Sequence, residues 1–208
     1  MSASLILLAA ALSAPRLDAR FEEQVNERYP QWALHTETSA AALVELVVKP
    51  NGRIERCELL DAVGSERLAE EMCQETEGTR LRPATDAAGN PTYGVMRTLL
   101  QLTVPGDGLA TAENTVEPID LELTHDSLPA GYPGGFVLEV DLLVDRGGSV
   151  AACDAAYGGP PAVFEPYVAM ACEEARALEL APLAVEGDAA RPYVTRRRVR
   201  FQPEPSQA

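Results

Sequence analysis

The chain has 208 residues, 46% of them apolar and 5% aromatic, with a formal net charge of −15. That much apolar side chain excludes wholesale disorder, and the shortage of aromatics leaves Val, Leu and Ala to build the core. The acidity excludes a general nucleic-acid binder, since a phosphate backbone would be repelled. It is otherwise the ordinary charge that keeps a protein soluble.

Residues 1–14 read MSASLILLAAALSA. The run Leu5–Leu12 is too short to span a bilayer and fits the apolar core of a signal peptide. Ala11-Leu12-Ser13 or Leu12-Ser13-Ala14 supplies small residues before a cleavage site. The n-region lacks Lys and Arg, and a short buried helix is the competing reading. The expectation is a leader over 1–14 and a soluble periplasmic protein.

An internal repeat organises the rest of the chain. Val48–Cys57 aligns with Val144–Cys153 at a constant offset of 96; Cys73 aligns with Cys172 and Pro83 with Pro182 at 99; Pro91 aligns with Pro192 and Arg97 with Arg198 at 101. An offset that grows only at loops is the mark of a duplicated fold. In the second copy Phe136, Leu138, Val140, Leu142 and Val144 alternate with Glu139, Asp141 and Asp145, which predicts a half-buried strand, and Val44, Leu46 and Val48 take the same places in the first. Pro50-Asn51-Gly52 and Arg146-Gly147-Gly148 are hairpin turns. The return strands carry Ile54, Cys57 and Leu59, and Val150 and Cys153; the Ile54-to-Cys57 spacing implies a bulge if both point inward.

Helical spacing comes next, over Ser65–Glu77 and Ala162–Leu178, with Ser65 placed to cap the first helix. Final strands run over Tyr93–Val104 and Pro192–Phe201. Residues 106–133 read as a linker in which Ile119–Leu123 can add one short strand, and the Pro-containing tail 202–208 is expected to be disordered. The predicted fold is α+β: two tandem small antiparallel sheets of ββαβ order, the first with an extra N-terminal helix, and helices on one face of each sheet. The domains are 21–105 and 134–203.

Each copy holds two of the four cysteines, one on the second strand and one on the following helix, 16 and 19 residues apart. No CxxC, His-rich spacing or third ligand accompanies them, so neither a metal nor a redox site is expected. The pairing that respects the duplication is Cys57–Cys73 and Cys153–Cys172. Each bond would restrict the unfolded chain by about 3 kcal/mol. Such bonds need an oxidising compartment, which supports export; reduced core thiols are the alternative.

The segments that surround these elements resemble the TonB C-terminal domain family. Tyr29-Pro30-Gln31-Trp32-Ala33-Leu34 is similar to its Tyr-Pro-x-x-Ala opening, and Pro50-Asn51-Gly52-Arg53-Ile54 to its Pro-Asp-Gly-Arg-Val hairpin. Leu81-Arg82-Pro83-Ala84 resembles its Arg-Phe-x-Pro-Ala segment and Gly89-Asn90-Pro91 its Gly-x-Pro turn. The resemblance covers 21–104 well and 135–203 more loosely. It implies a non-catalytic domain that binds a segment of an outer-membrane transporter by strand addition to a sheet edge. The family's membrane anchor and Pro/Lys-rich spacer have no counterpart in these residues, so a motor-coupled role is not implied.

The candidate binding edges are therefore the last strands, at Val95, Arg97, Leu99 and Gln101 and at Arg196, Arg198 and Arg200. The stripe Arg196-Arg197-Arg198-Val199-Arg200 has two readings: it steers an acidic partner, or, as preferred, it blocks edge aggregation and pairs with the chain's own acids. His35 and His125 fit no triad or metal motif and read as surface residues. Tyr29 and Trp32 read as packing anchors for the N-terminal helix. No catalytic residue, cofactor or small-molecule substrate is expected. The partner is an envelope protein or peptide; self-association through the same edges, as a structural or assembly protein, is the alternative.

Overall fold

A computed structural model describes residues 12–104, 118–158, 161–185 and 189–204. The elements run in chain order as α1 (Ala19–Glu27), α2 (Gln31–His35), β1 (Ala40–Val48), β2 (Ile54–Gly64), α3 (Glu66–Thr76), β3 (Ala84–Thr85), β4 (Pro91–Leu102), β5 (Leu121–His125), β6 (Phe136–Val144), β7 (Val150–Ala155), α4 (Glu165–Ala175) and β8 (Tyr193–Pro203).

The fold is α+β, and the ββαβ order recurs as β1-β2-α3-β4 and β6-β7-α4-β8. The two copies do not form separate sheets, which corrects the expectation from sequence. They share one eight-stranded sheet of order β2-β1-β4-β8-β6-β7, with β3 added to β4 and β5 to β8. Pairing is antiparallel inside each copy. The copies join through a short parallel register, Tyr93 to Val95 against Tyr193 to Thr195. β5 also runs parallel to β8, from Leu121 opposite Val199 to His125 opposite Pro203, so β8 continues into what sequence assigned to a disordered tail. Residues 205–208 lie outside the described residues.

Local chemistry explains each copy. The Ser65 side chain accepts the Leu68 N–H and caps α3, which turns Leu68, Ala69, Met72 and Cys73 onto the sheet. Burial of Leu68 and Met72 contributes about 2 kcal/mol each. Their bed is Ala42, Val44, Leu46 and Val48 on one face of β1. The second copy repeats this with Tyr167, Ala171 and Cys172 of α4 over Leu138, Val140 and Leu142. The expected bulge is present: β1 pairs Val47 with Arg56 and then Val48 with Ile54, which skips Glu55. Gly52 and Gly148 are structural equivalents, both at positive φ and both pressed on a later carbonyl, Leu81 in one copy and Leu180 in the other. Any Cβ would collide there. The cysteines pair as the duplication suggested, with Cα separations of 5.4 Å for Cys57–Cys73 and 5.5 Å for Cys153–Cys172.

Parallel joining of equivalent strands has a consequence for the faces. Val47 lies opposite the α3 side of β1, yet it packs with Val144 and Tyr193 on the α4 side of β6 and β8. Hence α3 and α4 cover opposite faces of the shared sheet.

The N-terminal segment seals the α3 side of the junction. Leu12 and Ala14 are buried with Ala84 and Val194. Ser13 and Thr85 exchange both backbone hydrogen bonds at 3.1 and 2.9 Å, and Arg16 and Arg82 do the same at 3.1 and 3.0 Å. Pro15 lies on Gly94, where a Cβ would run into Pro15 and the Ala84 side chain. The end of the expected leader, Leu12–Ala14, is thus built into the fold, while residues 1–11 lie outside the described residues. Gly94→Ala is expected to cost about 2 kcal/mol by overpacking. In a chain that starts at Asp18 the same substitution should cost much less, a non-additivity that urea unfolding of the four variants measures.

Helix α2 is pinned by the sole tryptophan. Trp32 Nε1 donates to Glu71 Oε2 at 2.7 Å, Arg67 lies 4.1 Å from the indole, and Tyr29 Oη donates to the Thr38 carbonyl at 2.6 Å. The Trp32 bond, with help from Arg67, holds the Glu71 carboxyl below its ordinary value. A carboxyl depressed on folding contributes stability above its unfolded pKa, and that contribution disappears as pH falls through the lowered value. Trp32 fluorescence should therefore titrate with a midpoint below 4.5, the ordinary glutamate value, and Glu71→Gln should abolish the transition. A midpoint at or above that value would count against the bond.

Candidate functional site

The last strands meet over three residues and then diverge, and the fork between them is the candidate site. β8 is flanked by β6 along its length, by β4 at its start and by β5 from Val199 onward. Arg198 and Arg200 are therefore not on a sheet edge, the first being bonded by Asp120 and the second paired with β5, and Val95 is paired on both sides; Arg196 lies at the divergence, one residue past the last β4 pair. This corrects three of the seven expected edge positions. Arg97, Leu99 and Gln101 differ: they pair with β1, and among the described residues no strand covers the other side of β4 beyond Val95.

Asp120 holds the crotch of the fork. Its N–H donates to the Arg198 carbonyl at 2.9 Å and its Oδ2 accepts the Arg198 N–H at 2.8 Å, so one residue does the work of a strand. Its Oδ1 takes Arg97 at 3.2 Å and Arg197 at 3.3 Å, and Arg97 reaches on to Glu45 at 3.1 Å. The chain Glu45–Arg97–Asp120–Arg197 links β1, β4, the approach to β5, and β8. Burial lowers the Arg197 pKa and Asp120 works against that shift. Asp120 is what makes a guanidinium tolerable there, since a buried cation needs a carboxylate.

On the opposite face the arginine stripe is neutralised from within. Arg196 grips Asp141 through two bonds of 2.8 and 3.1 Å, and Asp141 is fully buried. Burial is the largest single influence and works against the Arg196 charge, but the Asp141 bond together with the charges of Asp141, Tyr157 and Glu139 outweighs it and the pKa is raised. Arg198 lies 3.9 Å from Glu139 and Arg200 lies 3.0 Å from Glu122. Tyr157 sits at φ +56°, a strained conformation for an aromatic residue, and places its ring between Arg196 at 3.9 Å and Arg16 at 5.3 Å. That stack ties the N-terminal segment to the second copy.

Two hollows lie along the fork. One, of about 410 Å³, is bounded by Pro15–Leu17, Met96–Thr98, Asp120, Glu139, Tyr157, Arg196 and Arg198. The next, of about 400 Å³, runs along the uncovered side of β4 between Leu99–Gln101 on one side and Leu17 with the α1 residues Phe21, Val25 and Asn26 on the other. His35 is exposed on α2, its Nδ1 2.6 Å from the Gln31 carbonyl, and His125 ends β5 with its ring edge toward Tyr167. Neither reaches the fork. Sequence reading missed Asp120, Asp141, Tyr157 and the segment 12–17. Only the Asp141–Arg196 pairing had a signal, an acidic face on one strand and a basic face on another, and it needed the β6–β8 register to be read.

No family model matches the chain, and no curated protein matches it. Among solved structures the chain is similar to the NMR solution structure of the Helicobacter pylori TonB C-terminal domain, at 11% identity and a TM-score of 0.32, over 42% of this chain and 80% of that one.

Asp120→Ala should destabilise the protein by about 3 kcal/mol, because it leaves a buried guanidinium unpaired. Amide exchange of Leu121–His125 should rise together with the loss in urea stability. Unchanged exchange in β5 would show that Asp120 does not hold the fork.

Proposed function

We propose that this protein is a non-catalytic binding module of the cell envelope that receives an extended peptide on the uncovered side of β4. The observation that carries this reading is the divergence of the last strands after Val95. It leaves the backbone of Met96–Leu102 without a neighbouring strand on that side among the described residues, beside a groove of mixed lining in which Phe21, Val25 and Leu99 stand with Asn26 and Gln101. A strand edge with free N–H and C=O groups accepts an added strand, and alternate side chains of the incoming segment then fill the groove. Two strand-to-helix disulfides favour an oxidising compartment, so the periplasm is the proposed location. Among the described residues no helix is long and apolar enough to cross a membrane. An outer-membrane transport protein is the proposed source of the peptide.

A second reading, structural or assembly work through self-association, is favoured by one observation: β2 and β7 are the outer strands of the sheet. Capture from an envelope extract with the oxidised protein, followed by amide exchange on the complex, separates the two. Peptide binding predicts protection of Met96–Leu102 with β2 and β7 unchanged. Recovery of no envelope partner, with protection of β2 and β7 on self-association, would overturn the first reading in favour of the second.

A further inference from the structure

The segment after α3 is bridged on both sides, and both bridges place like charges opposite each other. Arg53 faces Arg80, and Arg16 faces Arg82. Bridge partners share a face, as do residues two apart on an extended segment. Leu81 therefore turns into the core while Arg16, Arg53, Arg80 and Arg82 gather on the other side. Directly opposed like charges are destabilising. Two such pairs are notable in a chain with 32 acidic residues and 17 basic ones, where acidic partners are plentiful.

The contrast with β8 is sharp. There Arg196, Arg198 and Arg200 each have a carboxylate, whereas Arg16, Arg53, Arg80 and Arg82 form no ion pair with a described carboxylate. The Arg53 side chain donates only to the Gly78 carbonyl, at 3.5 Å, and the Arg16 guanidinium leans on the Tyr157 ring with its Nε buried and without a hydrogen-bond partner. Arg20 and Arg28 extend the patch and line, with Arg80, a hollow of about 270 Å³. Two acids reach this rim: Asp18, the cap of α1, 3.6 Å from Arg20, and Glu75, 3.9 Å from Arg28. Leu17, 41% exposed, follows Arg16 and turns to the two hollows of the fork, away from this rim.

We propose that this surface docks on the phosphate groups of an anionic bilayer. Guanidinium groups match phosphate oxygens through paired hydrogen bonds, and a set of closely spaced arginines suits closely spaced headgroups. A long nucleic acid fits less well, because it would run off the patch onto an acidic protein. Arg53, Arg80 and Arg82 line neither hollow of the fork, so the vesicle test on Arg80 and Arg82 reads this surface whether or not the β4 edge takes a peptide.

The test is co-sedimentation of the full oxidised chain with vesicles of phosphatidylcholine containing about a third phosphatidylglycerol. Binding is expected there and not on pure phosphatidylcholine. It should fall at least about tenfold when ionic strength rises from about 0.1 M to about 0.5 M, as screening shortens the reach of surface charges. Arg80→Glu with Arg82→Glu should remove it while circular dichroism stays unchanged, and Arg146→Glu with Arg176→Glu, elsewhere on the surface, should not. Absence of binding, equal binding to neutral vesicles, or indifference to the Arg80/Arg82 change would overturn the proposal. Release by inorganic phosphate at constant ionic strength would assign the patch to soluble phosphate and overturn the bilayer assignment.

Discussion

The architecture depends on a parallel pairing of only three residues on each strand, Tyr93–Val95 with Tyr193–Thr195. Parallel pairs are found where both faces are covered, because their side chains on both sides are apolar. Here two unrelated pieces of chain supply the covers. Leu12, Ala14 and Ala84 lie over Val194 on one face. Leu183 lies with Val47, Val95, Val144 and Tyr193 on the other. Remove either cover and Val194 or Val95 faces water. The junction is thus short in hydrogen bonds and sustained by burial.

The same junction decides where the sheet stops. Beyond Val95 the two strands separate, and the space at the crotch goes to a charged residue. Asp120 satisfies the Arg198 N–H and neutralises two guanidinium groups from different copies. A carboxylate between cations stabilises a buried polar cluster only if its remaining lone pairs are used, and here both oxygens are engaged. The result is a fork fastened at its base, with β5 continuing on the β8 side and a groove on the β4 side. The disulfides act further out, where each ties a return strand to its helix and so holds the outermost strand of each copy.

Much of each copy was legible in the sequence, and the reasons are local. Alternation along Val44–Val48 and Leu138–Val144, Gly52 and Gly148 at the turns, Ser65 before α3, and the register of the cysteines all depend on neighbours a few residues away. The union of the copies was not legible. Nothing in Tyr93–Val95 or Tyr193–Thr195 says that they pair, because a three-residue parallel contact has no turn to announce it. Assigning the last strands to open edges followed from treating each copy alone. Leu12–Ala14 posed a different problem: an apolar, small-residue segment has the same composition whether it leads export or fills a gap between two halves of a sheet.

The arginines separate the two kinds of positive charge in this acidic chain. On β8 they are a structural device, since Asp141, Glu139 and Glu122 stand on the adjacent strands and consume the charge that would otherwise repel along the stripe. A stripe so matched has little field left for steering a partner, which is why the conspicuous run in the sequence is not the conspicuous feature of the surface. The arginines at 16, 53, 80 and 82 are scattered in sequence and become neighbours only through two backbone bridges. Arg16 leans on the Tyr157 ring and Asp18 acts on Arg82 through space, but no described carboxylate comes within ion-pair distance of the four. Charge that folding brings together and leaves unmatched costs stability, and its retention points outward, to a ligand that supplies the missing anion.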